Sequence, residues 1–254
     1  MTVLASSSAG NSALVCTSRT RVLVDAGLSR KETFERLTAL GVAPESLTAI
    51  LITHEHADHV SGLASIAKKL AIPIYLSRLT APAISWGDCI PKLELFQAGA
   101  GFPIGDLEVV SFTVPHDAID PVGFSFQAEG VKISIATDLG YLPDSVRFQI
   151  RDSDILLLEA NHDLNMLKVG PYPWSVKQRV MGRMGHLSND VACQFVRDEL
   201  APRASTLILG HLSEHNNHPV LVEQAAREAL DGRSLFTRLL VAGPRGLAKP
   251  IVYP

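Results

Sequence analysis

Five times along this chain a short apolar run gives way to a side chain of the kind that binds metal or moves protons. Ile50-Leu51-Ile52 leads to His54, Phe112-Thr113-Val114 to His116, Ile133-Ser134-Ile135 to Asp138, Leu156-Leu157-Leu158 to Glu159 and Leu207-Ile208-Leu209 to His211. Runs of this length, bounded by small and polar residues, predict buried β-strands. Layered α/β folds assemble their sites from the C-terminal ends of neighbouring strands. A random scatter of polar residues would not keep to one end of the strands, so the five positions are expected to meet in space.

The intervening segments fit an α/β chain. Residues 14–17 and 21–25 predict a hairpin, and residues 29–40 a helix with Phe34, Leu37 and Leu40 apolar and Gly41 at its stop. Strands are predicted over 47–53, 72–76, 107–114, 123–127, 131–137, 154–158 and 205–209. Leu63, Ile66, Ala67 and Leu70 line one face of a helix over 63–70. A helix over 188–200 is N-capped by Ser188 or Asn189 and limited by Pro202. Another over 220–230 is ended by Asp231-Gly232, and Gly170-Pro171-Tyr172-Pro173 reads as a rigid loop. No low-complexity linker divides the chain, so residues 1–254 are expected to form one domain.

Hydrophobic residues make up 46% and charged residues 19% of the chain, enough apolar content for a sizeable core. The start lacks a basic region followed by a long apolar stretch, and no run is long enough to span a bilayer. Cys16, Cys89 and Cys193 are few, scattered and odd in number, which fits a reducing compartment. The expectation is a cytoplasmic protein with no membrane partner and no set oligomeric state.

The densest chemistry lies in Thr53-His54-Glu55-His56-Ala57-Asp58-His59. In extended chain, side chains two apart share a face, so His54 and His56 can grip one cation while Glu55 points away. The following turn can aim Asp58 and His59 at a second. His116 could complete the first site, His211 the second, and Asp138 could bridge both through its two oxygens. Imidazole with carboxylate suits Zn²⁺ best, and tolerates Mn²⁺ or Fe²⁺. A polar loop whose histidines merely hydrogen-bond does not account for so dense a cluster. Between Leu164 and Asn189 there is no acidic residue, whereas Lys168, Lys177, Arg179 and Arg183 accompany Tyr172 and Trp174. Such a stretch suits phosphate contact and base stacking, and equally suits a solvated loop and helix face.

The series His54-Glu55-His56-Ala57-Asp58-His59, His116, Asp138 and His211 resembles the metallo-β-lactamase fold superfamily. The resemblance implies an αββα sandwich with a dinuclear metal site at the edge of its two sheets. Glu159-Ala160-Asn161, Gly185-His186-Leu187-Ser188-Asn189 and His211-Leu212-Ser213 are similar in order to motifs of the phosphodiesterase branch, which includes tRNase Z and RNase J. That likeness implies that Glu159 orients His186 as general acid, with Asp58 in the catalytic set as well as the ligand set. Ser7-Ser8-Ala9-Gly10-Asn11-Ser12, Thr137-Asp138-Leu139-Gly140, Glu159-Ala160-Asn161-His162-Asp163 and Gly170-Pro171-Tyr172-Pro173-Trp174 narrow the resemblance to the YycJ/WalJ (VicX) family.

By that resemblance the chain is expected to be a 5′-to-3′ exonuclease acting on DNA, with RNA as the other nucleic acid to test. A hydroxide bridging two divalent ions would attack phosphorus in line, and His186 would protonate the departing oxygen. Lys168, Lys177, Arg179 and Arg183 would hold the strand and Tyr172 or Trp174 would stack on bases. His162 would touch a phosphate or instead make a structural hydrogen bond. A glyoxalase II-like thioester or lactone hydrolase would share the ligands without needing Glu159 and His186 as a pair. A non-catalytic adaptor using metals structurally would not need open coordination. The 72 residues between Asp138 and His211 leave no room for the large inserted domain of RNase J.

Overall fold

The computed structural model describes residues 1–231 and 236–253. Three antiparallel strands begin it, β1 (Thr2–Ala5), β2 (Ser12–Cys16) and β3 (Arg21–Val24). Helix α1 (Arg30–Ala39) starts where the Ser29 hydroxyl accepts from the Glu32 amide, and the chain turns away from it at Gly41, φ +74°. The chain returns as β4 (Ala49–Leu51), parallel to β3, then forms α2 (Ala57–Val60) and α3 (Leu63–Leu70). Strands β5 (Pro73–Ser77) and β6 (Lys92–Phe96) complete a first sheet in the order β1-β2-β3-β4-β5-β6.

The second sheet begins as an antiparallel meander of β7 (Gly101–Ile104), β8 (Leu107–Thr113), β9 (Val122–Ala128) and β10 (Val131–Ala136). After α4 (Asp144–Ile150), β11 (Ile155–Glu159) lies parallel to β10. Helices α5 (Leu164–Val169), α6 (Trp174–Val180) and α7 (Asn189–Asp198) precede β12 (Thr206–Gly210). Helix α8 (Pro219–Asp231) and β13 (Arg238–Val241) follow, giving the order β13-β12-β11-β10-β9-β8-β7.

Alternation along the strands sorts the apolar side chains into three layers. Val15, Val22, Val24, Leu51, Phe124, Phe126, Ile135, Leu157 and Ile208 fill the space between the sheets. Leu23, Ile50, Ile52 and Ile74 turn outward onto Leu37 of α1 and onto Leu63, Ile66 and Ala67 of α3. Leu156, Leu158, Leu207 and Leu209 pack outward against α4, α7 and α8 through Val146, Phe195, Val196 and Val222. Burying both faces of the parallel strands is what their uninterrupted aliphatic runs require. The architecture is the expected αββα sandwich.

The parallel pairings send the C-terminal ends of β3, β4, β10, β11 and β12 to one edge of the two sheets, and the antiparallel β8–β9–β10 meander adds the end of β8. Glu159 is the last residue of β11, inside the strand rather than beyond it. Strand β4 covers three residues of the expected 47–53, and Ser188 caps α7 in preference to Asn189. Gly232, half of the expected stop of α8, lies outside the described residues.

Candidate metal centre

Three polar residues that end or follow strands at this edge adopt the left-handed backbone region: Asp25 at φ +59°, Asp138 at φ +59° and His211 at φ +56°. A non-glycine residue pays a conformational cost there, and such strain persists where surrounding contacts over-determine it. His211 shows how. Its amide donates to the Ser6 hydroxyl at 2.7 Å, and its carbonyl accepts from Asn161 Nδ2 at 2.8 Å. Its Nδ1 lies 2.8 Å from Glu159 Oε1.

The donor atoms of His54, His56 and His116 lie within 4.8 Å of one another, as do those of Asp58, His59 and His211. Within the first set, His116 Nε2 is 3.3 Å from His56 Nδ1. Within the second, Asp58 Oδ2 is 3.4 Å from His59 Nε2 and 3.5 Å from His211 Nε2. Asp138 stands between them, with Oδ2 3.3 Å from His59 Nε2 and Oδ1 3.9 Å from His116 Nε2. Tetrahedral bonds of about 2.0–2.1 Å place neighbouring donors about 3.3 Å apart, so this spacing fits a metal shell. His54 Nε2, Asp138 Oδ2 and His211 Nε2 are buried and make no hydrogen bond among the described residues. Buried polar atoms without partners are costly, and divalent cations supply the missing partner.

Electrostatics separates the two halves. Burial pushes the His54 imidazole well below its usual pKa and lowers that of His116, leaving neutral rings with free lone pairs. Burial also opposes charge on His59, but Asp138 and Asp25 override it and hold that ring well above the usual range. For His211 burial is likewise overridden, by Asp138, Asp58 and Glu159, and its pKa is raised to about 10. A field that holds protons on imidazoles attracts a divalent cation in their place, releasing those protons on binding. Asp58 is buried enough to favour its neutral form, yet His211 and His59 keep it below the usual carboxylate range.

The supporting groups fix the rings. Asp25 Oδ2 is 2.8 Å from His59 Nδ1, while Oδ1 accepts from the Thr53 amide. Asn11 Nδ2 donates to Asp58 Oδ2 at 3.0 Å, and His116 Nδ1 donates to the Gly185 carbonyl at 3.1 Å. Carboxylate and carbonyl partners of this kind set the tautomer and orientation of metal-binding imidazoles. Glu159 is central: Oε1 lies 2.8 Å from both His186 Nδ1 and His211 Nδ1, and Oε2 accepts from the Leu139 and Leu187 amides. Burial raises the carboxyl's pKa, but the two imidazoles outweigh it and bring it to about 2. Glu55 points away as expected, its Oε1 accepting from the Ile119 amide.

The rim departs from expectation at Lys177. Lys177 is buried, and its Nζ donates to the Lys168 carbonyl at 2.8 Å, closing the end of α5 instead of facing solvent. His162 is also buried, with its backbone bridged to Ser188 and its Nδ1 without a hydrogen-bond partner among the described residues, and burial lowers its pKa to about 4. Lys168, Trp174, Arg179 and Arg183 are exposed, and Tyr172 is half-buried with its ring against His215. Arg179 Nε pairs with Asp117 Oδ2 at 2.5 Å, and the Arg183 guanidinium sits 4.2 Å from the Tyr141 ring centroid. Asp25 and Asn11 went unassigned in the sequence. The placement of Asp25 directly after an aliphatic run was the available signal for it.

Residues 20–212 match the family described as the Beta-lactamase superfamily domain. The chain is 37% identical to exodeoxyribonuclease WalJ of Streptococcus pneumoniae, over 90% of this chain and 88% of that protein. It is 36% identical to exodeoxyribonuclease YycJ of Bacillus anthracis, with the same two shares covered. Among solved structures, the metallo-β-lactamase fold protein YhfI of Bacillus subtilis is similar with a TM-score of 0.71 and 17% identity, covering 96% of each chain. Fold, donor cluster and family match fall on the same stretch of sequence: the chain belongs to the metallo-β-lactamase superfamily, and within it to the family of WalJ and YycJ.

Proposed function

We propose that this protein is a dinuclear metal-dependent phosphodiester hydrolase, a 5′-to-3′ exonuclease acting on DNA, built as one domain and working in the cytoplasm. One observation carries the reading beyond the superfamily. His186, 23% exposed at its side chain, is fastened through Nδ1 to the ionised Glu159 beside the donor cluster. Burial lowers its pKa and Glu159 more than compensates, so the ring is held protonated above the usual histidine value. The WalJ and YycJ relatives, named as exodeoxyribonucleases, supply the substrate class.

His54, His56 and His116 would hold one ion and Asp58, His59 and His211 the other, with Asp138 shared between them. Bound there, Zn²⁺, Mn²⁺ or Fe²⁺ supplies Lewis acidity toward the phosphate and eases the ionisation of water. With Nδ1 committed to Glu159, His186 Nε2 is the atom left to give a proton to the departing 3′ oxygen. Asp58, kept ionised, orients a water molecule as well as binding. Arg183, Arg179 and Lys168 contact the phosphate backbone, and Tyr172 and Trp174 face the bases.

A thioester hydrolase would share the donors, so the test is a substrate panel under one metal condition. End-labelled DNA and RNA, single and double stranded, are compared with S-lactoylglutathione and a chromogenic β-lactam. The expected result is stepwise release of nucleotides from the 5′ ends of DNA. Turnover of the thioester alone would overturn the proposal.

A further inference from the structure

The exposed apolar surface at the rim has a definite place relative to the proton donor. Helix α6 is tied to His186 through the backbone: the His186 amide donates to the Val180 carbonyl at 2.9 Å, and the Gly185 amide to the Gly182 carbonyl at 2.9 Å. A Cβ on Gly185 would lie 2.2 Å from the Arg179 carbonyl oxygen, so only glycine lets the turn after α6 fold back this closely onto the helix. Arg179 is clamped to Asp117, the neighbour of His116, and Lys177 fastens α6 to the end of α5. The α5–α6 unit is therefore a rigid wall on the His186 side of the centre.

That wall nevertheless presents Trp174 to solvent at 62% exposure, with Val169 and Met184 also exposed. No ring stacks on Trp174, and no carboxylate pairs with Arg183, among the described residues. Trp174 follows Pro171 and Pro173, which limit the freedom of its loop. It stands six residues before Val180 on a helix, about 9 Å along the axis at 1.5 Å per residue. Stacked bases repeat every 3.4 Å or so, so the length of α6 from Trp174 to Val180, whose carbonyl holds the His186 amide, matches a few nucleotides.

We infer that Trp174 is a stacking post for the nucleotide leaving on the His186 side, and that it opens paired DNA ends for cleavage. This rests on the phosphodiesterase reading above. His186 protonates the departing 3′ oxygen, so the nucleotide beside it is the one being released from the 5′ end. A base held against the indole is lost to its complement, and the acid-free α5–α6 wall with Arg183 accepts the accompanying phosphate. An exposed tryptophan fixed beside a cationic surface has the chemistry for this, since every base has a face to stack.

The test uses Mn²⁺-loaded enzyme and two 5′-labelled duplexes that differ at the cleaved end. One is fully paired there, and the other carries three mismatches. With DNA saturating, Trp174→Ala should lose about 5–100-fold more turnover on the paired end than on the mismatched end, the range of a lost base–aromatic stack. Trp174→Phe should recover most of that difference. Equal losses on both ends, or none on either, would overturn the inference while leaving the nuclease reading intact. Absence of cleavage of either duplex by the wild type would overturn both. Trp174 is exposed, so its replacement leaves the buried layers undisturbed.

Discussion

At the scale of single residues, one oxygen of Glu159 serves two rings. Oε1 faces His186 and His211 together, so the proposed proton donor and a proposed metal ligand share one anchor. Glu159→Gln removes the charge that holds His186 protonated. The sign follows from the raised His186 pKa: the acid form is present below that pKa and lost as pH rises through it. The variant's kcat–pH profile should therefore fall off at lower pH than the wild type's, and its affinity for the ion held by His211 should drop. An alkaline limb at the wild-type position would show that His186 does not depend on Glu159. Asp25 makes a separate case. Asp25→Asn removes the carboxylate behind His59 and should weaken binding of the second ion by about 10–100-fold, measured by chelator competition. Unchanged affinity would make Asp25 a packing residue only.

At the scale of elements, the site depends on loops that meet backbone to backbone. A Cβ on Gly27 would fall 1.7 Å from the Asp58 carbonyl oxygen, which already accepts from the Asn11 amide at 2.7 Å. Gly27→Ala must push the loop that carries Asp58 away. We expect a loss of about 1–3 kcal/mol in urea unfolding together with weaker binding of the second ion. Stability and ion affinity both at wild-type values would show that the loop yields freely. Elements with a clear period were legible: residues 63–70 were expected as a helix and form α3 with those bounds. The edge strands were not. β6 exposes Lys92 and Glu94, and β7 carries a glycine and a proline, which suit a sheet edge but read as turn sequence. α5 and α6, at 6 and 7 residues, are too short to show a helical period. That is why Lys177 read as a surface cation rather than the strut it is. The strand-end donors were legible because each sits next to its own aliphatic run. The contact of Asp25 with His59 crosses 34 residues and has no local signature.

At the scale of the whole molecule, the two sheets are held by three apolar layers, and the charged cluster occupies only their common edge. The fold should therefore survive loss of the ions, with stability reduced by binding linkage. At ion concentrations about 100–1,000 times Kd, each site is worth about 3–4 kcal/mol, so chelation should lower Tm by several degrees and add-back restore it. Complete unfolding on chelation would assign the ions to structure. No helix among the described residues is long and apolar enough to cross a membrane. The proposed division of labour is that the cluster binds the ions and His186 delivers the proton. It is tested most directly by comparing wild type with His186→Ala for metal content per chain and for single-turnover cleavage of end-labelled DNA. Two ions should be bound in both proteins, with cleavage about 10²–10⁴-fold slower in the variant. Wild-type cleavage by a fully loaded His186→Ala protein would contradict it.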